Sequence, residues 1–183
     1  MTFFDITDID FYLMIKELLL NNGKRLELNR GDCVCRMGET ATCLGVVVSG
    51  ALKNSFTTSA GNERIISFSF TGDLVGSYSS IRSQTPSLID IVAIESTVVC
   101  QLPIELIDKV IGLERRVRLS EAICYQALKS AVENYCKNAE ERYVALTSRF
   151  PDIHNRMTNR NIASYLGITP ESLSRLRKRL LST

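Results

Sequence analysis

The first apolar positions recur at helical spacing. Phe11, Leu13, Met14, Ile15, Leu18 and Leu19 predict an amphipathic helix over residues 9–22, and Asn21-Asn22-Gly23 ends it in a turn-forming cluster. From Lys24 to Leu102 the pattern shortens into β-type runs. Cys43-Leu-Gly-Val-Val-Val-Ser, Ala51-Leu-Lys-Asn-Ser-Phe, Arg64-Ile-Ile-Ser-Phe-Ser-Phe, Ile89-Asp-Ile-Val-Ala-Ile and Thr97-Val98-Val99-Cys100 read as strands, with Gly31, Gly38, Gly50, Gly61, Gly72 and Gly76 between them. Short strands at roughly even spacing predict a sandwich or a barrel-like roll. From Pro103 the helical period returns: a short helix over 103–110, a long one over 113–136, and another over 139–149 that stops before Phe150-Pro151.

The long helix carries more apolar surface than one neighbour can cover. Val117, Ile123, Cys124, Ala127, Leu128, Ala131, Val132, Tyr135 and Cys136 spread over a wide stripe. One side can pack on the roll while the other pairs with a second copy. The alternative is a helix buried inside a monomer.

The segment from Met157 to Leu180 has the pattern of a helix-turn-helix. Thr158 suits the N-cap of a first helix, whose apolar face is Ile162, Tyr165 and Leu166, with Ala163 small where a second helix must cross closely. Gly167 permits the left-handed conformation that ends a helix tightly, and Ile168 plugs the turn. Thr169 then caps a second helix with Pro170 in its first turn, and Leu173, Leu176 and Leu180 face back onto the first. Glu171, Ser174, Arg175 and Lys178 are left on the outer face, near the end such motifs insert into the major groove. Arg175 has the fork to hold guanine O6 and N7, and Glu171 can accept from cytosine N4. Thr169, Ser172, Arg177 and Arg179 are assigned to phosphate contacts, which position without specifying. The bland reading of the same residues is a helical hairpin with a polar outer face.

The charge distribution along the chain has two readings, a polyanionic partner for the tail or a solvated helix face. The 183 residues carry a net charge of +2, but residues 155–183 hold six basic groups and one acid, a net of +5. The 16 basic and 19 acidic residues before them give −3. Phosphate neutralisation drives nucleic-acid affinity.

Other chemistries find little support. One histidine, no phosphate-binding glycine loop and no G-x-S-x-G leave no catalytic constellation, so no enzyme is expected. Ser79-Ser80 and the carboxylates of the roll read as turn and surface residues, and His154 as a solvated loop histidine. Cys33, Cys35, Cys43, Cys100, Cys124 and Cys136 include no C-x-x-C pair, so no metal site is expected. The acidic N-terminus does not look like a secretory signal, and no apolar run approaches the roughly 18 residues of a membrane helix. A cytoplasmic protein with reduced thiols is expected.

The order of these elements resembles the cyclic-AMP receptor protein family, the Crp/Fnr superfamily of bacterial transcription regulators. The likeness rests on Arg30-Gly31-Asp32, on Val47 to Lys53 with its Ser49-Gly50 turn, on Thr71-Gly72-Asp73-Leu74-Val75-Gly76, and on Ile162 through Arg175 in the tail. It implies an α+β fold. Residues 1–112 would be a β-roll effector domain of the cyclic-nucleotide-binding type. Residues 113–137 would form a long dimerisation helix, with Val117, Cys124, Ala127, Leu128, Ala131 and Tyr135 at the interface. Residues 138–183 would form the DNA-binding domain. It further implies a homodimer on a near-palindromic double-stranded DNA site, RNA polymerase as a partner, and control by a small-molecule effector of unknown identity.

Members that bind cyclic nucleotide hold the ribose with a glutamate and the phosphate with an arginine. Those two positions fall here on Ser77 and Ser87, within a candidate effector pocket of Gly76, Ser77, Tyr78, Arg82, Ser87 and Leu88. Arg82 is the one cation nearby, five residues early. Tight cyclic AMP binding is therefore not expected, no cofactor is assigned, and any ligand of the roll should differ. A roll that does sense a cyclic nucleotide or another small molecule is the alternative. Other branches hold an iron–sulfur cluster through cysteines near the N-terminus, and Cys33, Cys35 and Cys43 do not have that spacing; they read as ordinary strand cysteines. The sequence reaches Thr183 just past the second helix, where many members continue into a β-hairpin wing, so a weaker phosphate grip is expected.

Overall fold

The computed structural model describes residues 9–181, so the N-terminal stretch 1–8, on which the export question turns, lies outside the described residues. Helix α1 (Ile9–Asn22) leads into strands β1 (Lys24–Leu28), β2 (Cys33–Cys35), β3 (Cys43–Ser49), β4 (Ala51–Thr57), β5 (Glu63–Phe70) and β6 (Leu74–Val75). A short helix α2 (Tyr78–Ser83) precedes β7 (Asp90–Ala93) and β8 (Thr97–Pro103). Helices α3 (Ile104–Cys136), α4 (Ala139–Arg149), α5 (Ile153–Arg156), α6 (Asn159–Leu166) and α7 (Pro170–Leu181) complete the chain.

The strands form two four-stranded antiparallel sheets, in the orders β1-β8-β3-β6 and β2-β7-β4-β5. Val47, Leu52, Val75, Ile91, Ala93 and Val99 fill the space between them. The outer face of the first sheet presents Leu44, Val46, Cys100 and Leu102, which α1 covers with Phe11, Ile15 and Leu19 and α3 with Ile104, Ile107, Ile111 and Leu119. The outer face of the second sheet presents Ala51, Ile65, Phe68 and Phe70, which the carboxy-terminal helices cover. Both faces of β3 are therefore buried, which is why its sequence is a nearly unbroken apolar run rather than an alternation.

Strand β5 carries a β-bulge. Asn54 pairs with Ser67 and Ser55 with Ile65, so Ile66 is the extra residue. Without it Ile65 and Phe68, three apart, would point to opposite faces. With it, Ile65 joins Phe68 and Phe70 against the carboxy-terminal helices, and Ile66 is left exposed. The sequence trace of this device is the Ile65-Ile66 doublet that interrupts the alternation.

Helix α3 is continuous except at Gly112, whose φ of 74° and ψ of 173° break the helical path. That conformation suits a residue without a Cβ. Beyond it Leu119 still packs on the roll's cluster, while another face of the helix stays open. Val117, Leu128, Val132 and Tyr135 are exposed, Tyr135 by 93%. Cys124, Ala127 and Ala131 are not buried either. Among the described residues no helix is long and apolar enough to cross a membrane.

Candidate nucleic-acid interface

Helices α6 and α7 form the predicted helix-turn-helix. Thr158 Oγ1 accepts the Asn161 N–H at 3.2 Å, and Thr169 Oγ1 accepts the Ser172 N–H at 3.2 Å, so both helices are capped by the side chains expected from sequence. Gly167 is left-handed (φ 71°, ψ 25°), and the Ile168 N–H returns to Ala163 O at 3.0 Å. Arg142 on α4 donates to Leu166 O at 2.5 Å and so satisfies a carbonyl at the end of α6. Ala163, Leu166 and Leu173 are buried at the crossing, with Leu176 beside them.

This seating leaves Glu171, Ser174, Arg175 and Lys178 on the outer side of α7, away from the buried leucines. The Glu171 carboxyl is held below the usual carboxylate range, first by a backbone N–H and then by the Thr169 hydroxyl and the nearby Arg175. It stays an ionised acceptor at neutral pH. Arg175 rests against Ser172 Oγ at 3.0 Å, and Ser174 Oγ donates to Pro170 O at 3.1 Å. The residues assigned to phosphates flank this face on two sides. Thr169 and Ser172 lie at the start of the helix; Arg177 reaches Asn159 Oδ1 at 3.4 Å, and Arg179 pairs with Glu140 on α4.

The helix-turn-helix is docked on the roll. Ser164 on α6 accepts the Ile65 N–H at 3.2 Å and donates to Glu63 O at 3.1 Å. It thereby satisfies the outer side of β5, an edge strand whose backbone groups would otherwise lack partners. Arg156 bonds Glu95 at 2.6 Å and Gly50 O at 3.1 Å, with its guanidinium 4.7 Å from the Phe70 ring centroid. Phe70 also packs on Phe150 and Phe68 on Tyr165. In the sequence Arg156 stands out only as one member of the basic tail. Its partners lie 61 and 106 positions away, a separation with no local signature.

The candidate effector residues do not converge on one anion. Ser77 and Ser87, both buried, hydrogen-bond each other at 2.9 Å. Arg82 turns elsewhere: its guanidinium grips Asp108 on α3 at 2.6 and 2.9 Å and bonds the Tyr78 hydroxyl at 2.8 Å. Tyr78 in turn lies 2.9 Å from Ser120 Oγ on the far side of the Gly112 break. Gly76 approaches Cys43 O closely, so a Cβ there would sit 3.0 Å from it, and Leu88 is exposed by 75%.

Three sequence readings need correction. His154 lies on α5, half-buried, bonded to the Tyr143 hydroxyl at 2.8 Å; burial and then Arg177 push its pKa down. It is a packing residue because Tyr143, on the preceding helix, faces it. Ser80 is buried and accepts the Ala41 N–H at 2.9 Å, and Asp73 is buried and accepts the Phe70 N–H at 2.8 Å. Both satisfy backbone donors in the roll's turns rather than facing water. The cysteines of the described residues are free thiols: Cys33 and Cys35 on β2, Cys43 on β3, Cys100 buried on β8, and Cys124 and Cys136 exposed on α3.

A roll carrying a long helix and a helix-turn-helix has the architecture of a DNA-binding regulator with an attached sensor fold. Comparison with known proteins agrees. Residues 25–112 match the cyclic nucleotide-binding domain. The chain is 30% identical over 169 residues to the fumarate and nitrate reduction regulatory protein of Vibrio cholerae, covering 84% of this chain and 67% of the relative. It is 29% identical to an anaerobic regulatory protein of Aggregatibacter actinomycetemcomitans, covering 84% and 65%. The chain thus spans about two thirds of the length of these curated relatives. The solved structure of FixK2 from Bradyrhizobium japonicum superposes with a TM-score of 0.74 at 22% identity over 87% of this chain and 85% of that one, which shows the shared fold. The chain belongs to the Crp/Fnr superfamily. It is a DNA-binding transcription regulator, not an enzyme.

Proposed function

We propose that two copies of the chain bind one near-palindromic site, each placing α7 in the major groove of a half-site, and that the roll answers to an effector other than cyclic AMP. The observation that carries the reading is the shared outer face of Glu171, Ser174, Arg175 and Lys178, which begins at the amino-terminal end of a helix whose opposite face is buried. Arg175 reads guanine, Glu171 accepts from cytosine, and Thr169, Ser172, Arg177 and Arg179 grip phosphates. The apolar face of α3 carries the second copy. RNA polymerase and an unidentified small molecule are the remaining partners, in the cytoplasm.

Selection of bound duplexes from a random pool, at stated salt, tests this. The expected product is a palindrome with half-sites about 34–36 Å apart. Arg175→Ala should relax one position per half-site at a cost of about 1–3 kcal/mol. A pool that returns no consensus overturns the proposal.

A further inference from the structure

The β4–β5 hairpin of the roll meets the helix-turn-helix in a cleft lined by Asn62, Glu63, Arg64, Arg160, Asn161 and Pro170. Arg64 projects from the roll, and one of its guanidinium nitrogens lies 3.9 Å from where a Cβ on Gly167 would stand. Arg160 comes from the first turn of α6. Both are exposed, and among the described residues neither side chain has a hydrogen-bond or ion-pair partner. The one carboxylate lining the cleft, Glu63, is already taken by Lys53 Nζ at 2.5 Å and Ser55 Oγ at 3.0 Å. Two guanidinium groups therefore face one opening with nothing to balance them, flanked by the amides of Asn62 and Asn161.

We infer that this cleft holds a DNA backbone phosphate beside each half-site, so that the sensor roll itself, through Arg64, contributes to DNA binding. The inference rests on the DNA-reading assignment of α7. When a recognition helix enters the major groove, the first helix of the motif crosses the backbone. Arg160 and Asn161 occupy the start of that first helix, and Arg64 stands next to them. The planar fork of arginine matches phosphate oxygens. The placement is rigid because Ser164 clamps the residues on either side of Arg64, taking Glu63 O and the Ile65 N–H.

The test is a salt series of binding isotherms for the full chain on a selected duplex and on a scrambled duplex of equal length. Arg64→Ala should weaken both by the same factor and lower the slope of log K against log salt by about 0.9 for each phosphate left unneutralised. Arg64→Lys should keep most of the slope. Thermal unfolding of both variants should match the parent, since the side chain is exposed. An unchanged slope in Arg64→Ala overturns the inference. So does an unchanged slope together with weakened binding of inorganic phosphate, which would make the cleft a site for free anions. Equal affinity of the parent for both duplexes would instead sink base reading by α7, and would leave the Arg64 slope as a separate result.

Discussion

At the scale of single residues, the two positions where the family resemblance expects a glutamate and an arginine carry hydroxyls that bond each other. Ser77 and Ser87 are buried and bonded at 2.9 Å, so neither awaits a ligand. Arg82 could serve a phosphate only by leaving Asp108 and Tyr78. An uncompensated buried charge costs roughly 3–5 kcal/mol, about two to four orders of magnitude in affinity. Calorimetric titration with cyclic AMP and cyclic GMP should therefore show no micromolar binding. Saturation at micromolar ligand would show that the phosphate is held by groups other than these. The serines and their positions are legible in the sequence. The Arg82–Asp108 pair is not, because its members lie 26 positions apart on elements whose approach only the fold decides.

At the scale of elements, the long segments are legible in the sequence and the shortest, β7 excepted, are not. Helices α1 and α4 and strands β3, β4, β5 and β8 carry enough residues to display a period. Strands β2 and β6 and helices α2 and α5 run from two to six residues, too few to show one. The sequence predicts the two halves of α3 as separate helices with Gly112 between them, and the break falls on that glycine. The positions Val117, Cys124, Leu128, Ala131 and Tyr135, none of them buried, follow one another at seven, four, three and four residues, the spacing of a coiled-coil seam. Leu128 is exposed by 65% and sits mid-seam. Burying a leucine is worth about 1.5–3 kcal/mol, and a symmetric pair counts it twice. Leu128→Glu should weaken self-association at least about a hundred-fold, read by sedimentation equilibrium, and leave the thermal stability of the monomer nearly unchanged. Equal dimer content in parent and variant would mean that another face makes the contact.

At the scale of the whole molecule, the roll and the helix-turn-helix share one apolar cluster, which includes Phe68 and Phe70 from β5 and Leu166 and Leu173 from the DNA-reading pair. Between α3 and α4 the path runs through Lys137, which is extended at φ −97° and ψ 134°, so the orientation of the DNA-reading unit depends on its docking to the roll rather than on a continuous helix. An effector can influence DNA only if it binds docked and undocked arrangements with different affinity. Arg156 is the polar centre of the docked arrangement, holding Glu95 and Gly50 O while covering Phe70. Hydrogen bonds to charged groups of this kind are worth about 1.5–3 kcal/mol. Arg156→Ala should therefore shift the balance toward undocking. The Ile65 amide, which now bonds Ser164, should exchange its hydrogen faster, while the Val99 amide inside the roll keeps its protection. Undocking also carries Arg160 away from Arg64. In the Arg156→Ala background, Arg64→Ala should then no longer change the salt slope of DNA binding, although it does so in the parent. Full retention of both the Ile65 protection and the Arg64 effect would show that the aromatic contacts alone hold the two parts together, and that Arg156 does not set the coupling between them.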